Sequence, residues 1–299
     1  MTSSSSSTAF STLLSDQGLI RASGEDAAGF LHNLLTNDIT HLAPGQARHA
    51  GLCTPKGRLL ATFLIWREGN DFLLMLSADI LPGILKKLSM YVLRSKVKLA
   101  DASTERRLLG VVGADCGPTA AMTTMPCAGG GTAIRVDAER CVLVLPPDQT
   151  PTDLPPAGAL EDWHLAEIRA GIPRIVAATQ EAFIPQMVNY EIPAVGGVSF
   201  QKGCYPGQEI VARTQYLGKV KRRMFRVKLD SAFAPGTDVF TPEAGDQHCG
   251  AVVLTAPSTH DGYESLLVVQ SSAAEENAIF VGRPAGARAH LLPLPYPVE

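Results

Sequence analysis

Apolar positions in the first third of the chain follow two different periods. In GEDAAGFLHNLLTNDITHL, residues 24–42, the side chains Ala27, Phe30, Leu31, Leu34 and Leu35 fall on one helical stripe. Ser23 stands where an N-cap belongs, with Asp26 three residues later as a shortened capping-box glutamate. Asn37 and Asp38 mark the helix end. The pattern then breaks into short apolar runs. HAGLCTPKGRLLATFLIWREGNDFLLML reads as three strands joined by turns at 54–57 and 68–71. A helix over 80–93 and a strand over 96–99 complete this cycle.

A second cycle begins at Arg107. LLGVVGA reads as a buried strand, followed by a small-residue helical stretch. A glycine loop at 129–131 leads into a hairpin, TAIRVDAERCVLVLP, turning near 137–140. Prolines at 146, 147, 151, 155 and 156 mark a long loop, and residues 160–170 read as a helix stopped by Gly171 and Pro173. Two such cycles predict two α+β layers. Beyond 218 the character changes to short strands separated by Gly, Pro and Asp turns, the pattern of a small β-barrel. GDQHCGAVV and VGRPAGARAHL read as hairpin arms in it. The barrel opens on KVKRRMFRVKLD, which alternates Lys219, Lys221, Arg223 and other cations with apolar residues. That stripe reads first as a solvated edge guarded by charge, and second as a docking face for phosphates or an acidic partner.

Composition narrows the picture. A chain of 299 residues supports two or three units with a sizeable core. The formal net charge of −3 excludes a wholly basic nucleic-acid binder. The serine-rich start reads as a flexible tail over 1–19 without a secretory pattern, and no run approaches the roughly 20 apolar residues of a membrane span. Six scattered cysteines contain no C-x-x-C pair, so zinc-ribbon, thioredoxin-like and compact iron–sulfur spacings are absent. Free thiols in a reducing cytoplasm are expected. The histidines show no ligand spacing, so no dedicated metal site is expected.

The densest chemistry lies in KGCYPGQE, residues 202–209. Gly203 and Gly207 allow turns that side chains forbid, and Pro206 fixes one more dihedral, so Cys204 sits on a stiff, tight loop. Lys202 favours the thiolate, the reactive form of cysteine. The bland alternative is a small core cysteine beside an ordinary turn.

KGCYPGQEIVAR, residues 202–213, closely resembles the signature of the YgfZ family of folate-binding proteins, relatives of the T-protein (aminomethyltransferase) of the glycine cleavage system. RASGEDAAGFLHNLLTND, LCTPKGRLLATF, EIRAGIPRI and FIPQMVNYE resemble further family segments, in order. The resemblance implies an α+β, aminomethyltransferase-like fold. Two α+β units over 20–217, split near 105, and a C-terminal β-barrel over 218–299 would surround a central folate channel. It implies a functional thiol at Cys204, assisted by Lys202, and tetrahydrofolate or a derivative as cofactor. Lys56, Arg58 and Arg213 are candidates for the glutamate tail. Glu191, Glu209 and Gln208 are candidates for the pterin's polar edge, and Tyr205 for stacking on its ring. Glu209 reads equally as a partner of Lys202.

The T-protein's G-G-x-x-D-D run falls here on residues 56–61, with Leu60 and Ala61 in place of both carboxylates. The anchor for a cationic folate nitrogen is thereby lost, and a working aminomethyltransferase is not expected. The resemblance instead implies a cytoplasmic accessory protein that supports assembly or repair of iron–sulfur clusters in radical enzymes, including tRNA-methylthiolating ones. Its partners would be folate and iron–sulfur client or assembly proteins, with a weak tRNA contact left open and no membrane. Cys204 would be the reactive centre or a transient cluster ligand. The alternatives are a folate-dependent one-carbon transferase and a protein- or tRNA-docking scaffold using the basic strand.

Overall fold

The computed structural model describes residues 9–149, 151–218, 220–276 and 278–298. In chain order, β1 (Phe10–Leu13) and β2 (Gln17–Ser23) precede α1 (Ala27–Leu34). Then come β3 (Ala47–Cys53), β4 (Leu59–Glu68), β5 (Asp71–Ser77), α2 (Leu81–Ser89) and β6 (Lys98–Asp101). The middle of the chain supplies β7 (Arg107–Val112), β8 (Thr123–Cys127), β9 (Gly131–Arg135), β10 (Arg140–Leu145) and α3 (Leu160–Ala170). After an irregular stretch with two 3₁₀ turns, α4 (Gln208–Leu217) leads to β11 (Arg222–Leu229) and β12 (Asp238–Phe240). The chain closes with β13 (Gly250–Pro257), β14 (Tyr263–Gln270), α5 (Ser271–Glu275), β15 (Ile279–Val281) and β16 (Ala287–Leu292).

The strands form two five-stranded sheets, ordered β3-β4-β5-β2-β6 and β1-β7-β10-β9-β8, and one closed barrel, β11-β14-β13-β12-β15-β16. The pairings between the described strands are antiparallel, which suits the short connections. Four expectations are corrected. Residues 10–19 are not tail: β1 pairs with β7, so the start of the chain edges the second sheet. No helix follows β7; residues 113–122 are turns and bends leading to β8. The α1 N-cap is Asp26 rather than Ser23, and its carboxylate takes the Lys96 backbone N–H at 2.7 Å instead of capping. Cys116 and Cys141 are bridged, with Cα atoms 6.4 Å apart, rather than free.

The α1 stripe works as its period demands. Ala27, Phe30, Leu31 and Leu34 are buried against the first sheet, and full burial of each large side chain stabilises the fold by roughly 1.5–3 kcal/mol. The two sheets pack through a shared cluster holding Trp66 and Leu73 from the first, Leu108 and Val142 from the second, and Trp163 of α3. Gly110 permits this contact, because a Cβ there would stand 2.4 Å from the Trp163 ring. A further cluster joins Leu59, Ile168, Phe183, Tyr190, Met224 and Leu266. The irregular segment after α3 is thus wedged between the first sheet, α3 and the barrel, and it leads directly into the signature loop.

Candidate functional site

Two glycines decide where the signature loop sits. Gly207 precedes α4 at φ +84, where its missing Cβ leaves room for Thr54 O and Gly57 Cα, 2.3 and 2.7 Å from the position a Cβ would take. Gly57, at φ +71 in the β3–β4 turn, faces Ile210 and the Gly207 carbonyl in the same way. The hairpin turn and the start of α4 therefore meet backbone to backbone, which only paired glycines allow. Lys56 and Arg58, read from the hairpin, are brought beside KGCYPGQE by this contact.

Within the loop, Cys204 is exposed and Tyr205 is buried as the loop's anchor. The Lys202 ammonium lies 4.8 Å from the Tyr205 ring centre. It donates to the carbonyls of Leu35 (2.8 Å) and His32, so it satisfies acceptors at the C-terminal end of α1. Burial pushes the Lys202 amine down to about 8, against the opposing pull of Asp38 and Cys204. Lys202 thus has a structural role that residue types did not reveal: it ties the loop to α1 while remaining within electrostatic range of the thiol. It is not paired with Glu209, which is exposed.

The other candidates differ in setting. Lys56 and Arg213 are exposed, and Gln208 is half-buried at the start of α4. The Arg58 guanidinium donates to Ala182 O at 2.5 Å. Tyr205 is buried, with the Lys202 ammonium over its ring. The Glu191 carboxylate is paired with Arg223 of β11, which also donates to Gln186 O at 3.0 Å. Burial raises the Glu191 carboxyl in spite of that pairing. Glu191 Oε2 and Gln186 Oε1 remain buried acceptors without a donor. Leu60 and Ala61 lie in the apolar core of the first sheet.

The basic strand is not a solvated stripe. Arg223 is buried in its contact with Glu191, and Arg226 pairs with Glu264 at 2.6 Å. Lys219 lies outside the described residues. Cys53 is buried, and its thiol is pushed up to about 12 by burial, so Cys204 alone among the free described cysteines is exposed. Among the described residues, no group of three or more His, Cys, Asp or Glu side chains is placed to hold a metal ion. No described helix is long and apolar enough to cross a membrane.

Sequence reasoning missed His32. Its Nδ1 lies 3.1 Å from Asp38 Oδ1, and its Nε2 lies 3.7 Å from the position a Cβ on Gly203 would occupy. No linear signal links residues 170 positions apart.

The comparisons agree with this architecture. The family model of the GCVT N-terminal domain matches residues 14–124. The tRNA-modifying protein YgfZ of Shigella boydii is 30% identical over 312 aligned residues, covering 96% of this chain and 93% of its own. An uncharacterized protein of Haemophilus influenzae is 34% identical over 221 residues, 73% of each chain. The solved glycine cleavage system aminomethyltransferase T of Bartonella henselae shares the fold, with a TM-score of 0.69 at 16% identity over 96% of this chain and 85% of its own.

Proposed function

The chain belongs to the YgfZ family, and from that premise we propose that it is a tetrahydrofolate-binding accessory protein of tRNA modification, with Cys204 as its reactive group. It supports assembly or repair of iron–sulfur clusters in radical enzymes, including those that methylthiolate tRNA. The observation that carries this reading is the exposed thiol on a glycine loop seated against the first hairpin turn. A buried structural cysteine, such as Cys53 or Cys249, has no such mounting.

Buried acceptors and exposed cations support the folate reading. Glu191 Oε2 and Gln186 Oε1, buried without donors, complement the ring N–H and amino donors of a pterin. The exposed cations Lys56 and Arg213 complement the carboxylates of a glutamate tail. Bound folate supplies one-carbon or reducing chemistry; the chain supplies the thiol, holds the loop through Lys202 and Tyr205, and keeps Cys204 open to a client. A one-carbon transferase fits less well, because Leu60 and Ala61 put apolar core where a carboxylate would anchor a cationic nitrogen. A scaffold using the basic strand is weakened by the ion pairs that engage Arg223 and Arg226.

Anaerobic calorimetric titration of tetrahydrofolate into the wild type and Cys204→Ala tests the ligand, and tRNA methylthiolation in cells carrying only Cys204→Ala tests the thiol. Binding to both proteins with lost methylthiolation is the expected result. No binding to either protein defeats the folate assignment, and normal methylthiolation with Cys204→Ala defeats the role of the thiol.

A further inference from the structure

We infer that His32 and Asp38 form the proton-accepting pair for the Cys204 thiol, an inference that rests on Cys204 being the reactive group and supplies its missing base. His32 stands in the last turn of α1, and Asp38 in the loop that follows. The Asp38 carboxylate is held in place from several sides. Oδ1 accepts the His41 backbone N–H at 3.1 Å, Oδ2 meets His41 Nδ1 at 2.7 Å, and Arg48 braces the loop through the Asp38 and His41 carbonyls. Burial would raise this carboxyl, but the hydrogen bonds from His41 outweigh it and hold the group below its usual range.

An ionised carboxylate only accepts, so the 3.1 Å contact requires the proton of His32 on Nδ1. The Thr40 backbone N–H approaches Nδ1 from 3.4 Å and would need a lone pair there; the shorter contact to a charged carboxylate is the stronger and sets the tautomer. The free lone pair is therefore on Nε2. That atom faces the backbone of Gly203, 3.7 Å from where a Cβ would stand. The Cα of Cys204 follows that of Gly203 by one peptide unit, about 3.8 Å from Cα to Cα. Lys202 closes the arrangement by fastening the same loop to the His32 carbonyl. Base and orienting carboxylate thus stand against the residue that precedes the nucleophile, a neighbourhood in which a weak nucleophile can be activated.

The step is a proton transfer. The Sγ–H bond breaks, sulfur keeps the electron pair, and the proton passes to His32 Nε2. The resulting imidazolium is stabilised by Asp38, and the thiolate by the Lys202 ammonium. The charged and titratable groups around His32 are Lys202 on the signature loop and Asp38, His41 and Arg48 on its own side. Burial, followed by repulsion from Lys202, holds the His32 imidazole below its usual value, so it is neutral and able to accept at neutral pH.

The test is the alkylation rate of Cys204 by iodoacetamide, in which an S–C bond forms and iodide leaves. The Cys204 peptide is followed by mass spectrometry on the full chain between about pH 5 and 9. Wild type is expected to react at least about tenfold faster than His32→Gln at neutral pH, with a low-pH inflection that the variant lacks. Asp38→Asn should fall between them. A His32→Gln curve superimposed on the wild type at every pH overturns the inference and leaves the pair as a loop staple. Should His32→Gln not fold, Asp38→Asn decides on the same criterion. The methylthiolation assay with Cys204→Ala reads separately: normal modification there defeats the role of the thiol in function, whatever the alkylation curves show.

Discussion

Cys204 and Lys202 show how far residue chemistry reaches on its own. Glycine and proline around a cysteine imply a stiff loop, and Cys204 is exposed on one. The structural role of Lys202, satisfying the carbonyls of α1, depends on a partner about 170 residues away and has no local signature. Buried titratable groups are equally silent in the sequence. His49 sits in the first sheet with 8% of its surface exposed; burial, followed by repulsion from Arg140, pushes its imidazole down to about 4. Between that value and about 6.5, the unfolded chain binds a proton that the folded chain refuses. Stability therefore falls as pH drops through this window, by on the order of 3 kcal/mol from His49, and His32 acts in the same direction. Urea unfolding at a series of pH values checks this: His49→Gln should flatten most of the slope between pH 6.5 and 4.

Elements follow the apolar period closely where one face is buried. The α1 stripe, the β3–β4–β5 meander and α3 appear where the pattern puts them. The period is weakest at 113–122, where small residues mimic a helix but Gly113, Gly117 and Met122 adopt positive φ. Contacts between elements are less legible, and Gly207 is the sharpest case. A Cβ at φ +84 would meet Thr54 O at 2.3 Å, whereas Gly69, also at positive φ, has nothing within 4 Å. Gly207→Ala should therefore destabilise the protein by about 2–4 kcal/mol and loosen α4 from the hairpin, against about 1 kcal/mol for Gly69→Ala. Hydrogen exchange of the α4 amides distinguishes the two: faster exchange in Gly207→Ala alone is expected, and equal exchange in both variants would refute the glycine contact as the joint.

At the scale of the whole molecule, the Arg223–Glu191 pair fastens the barrel to the segment that leads into the signature. Both side chains are at least nine-tenths buried, so removing one partner strands a charge at a cost of about 3–5 kcal/mol. Arg223→Met or Glu191→Gln alone should each lose stability on that scale, and the double variant should recover a large part of it in urea unfolding. Additive losses would show that the pair is not coupled. The sequence was sufficient for the kinds of layer present, the barrel that ends the chain, and the loop that carries the thiol, because hydrophobic period and turn chemistry are local. The folded chain alone placed β1 at the edge of the second sheet, engaged the basic strand in ion pairs, and brought His32 and Asp38 beside the signature loop that Lys202 fastens. Those contacts join residues far apart in sequence, and no short-range pattern encodes which distant groups a packed core will bring within a few ångströms of one another.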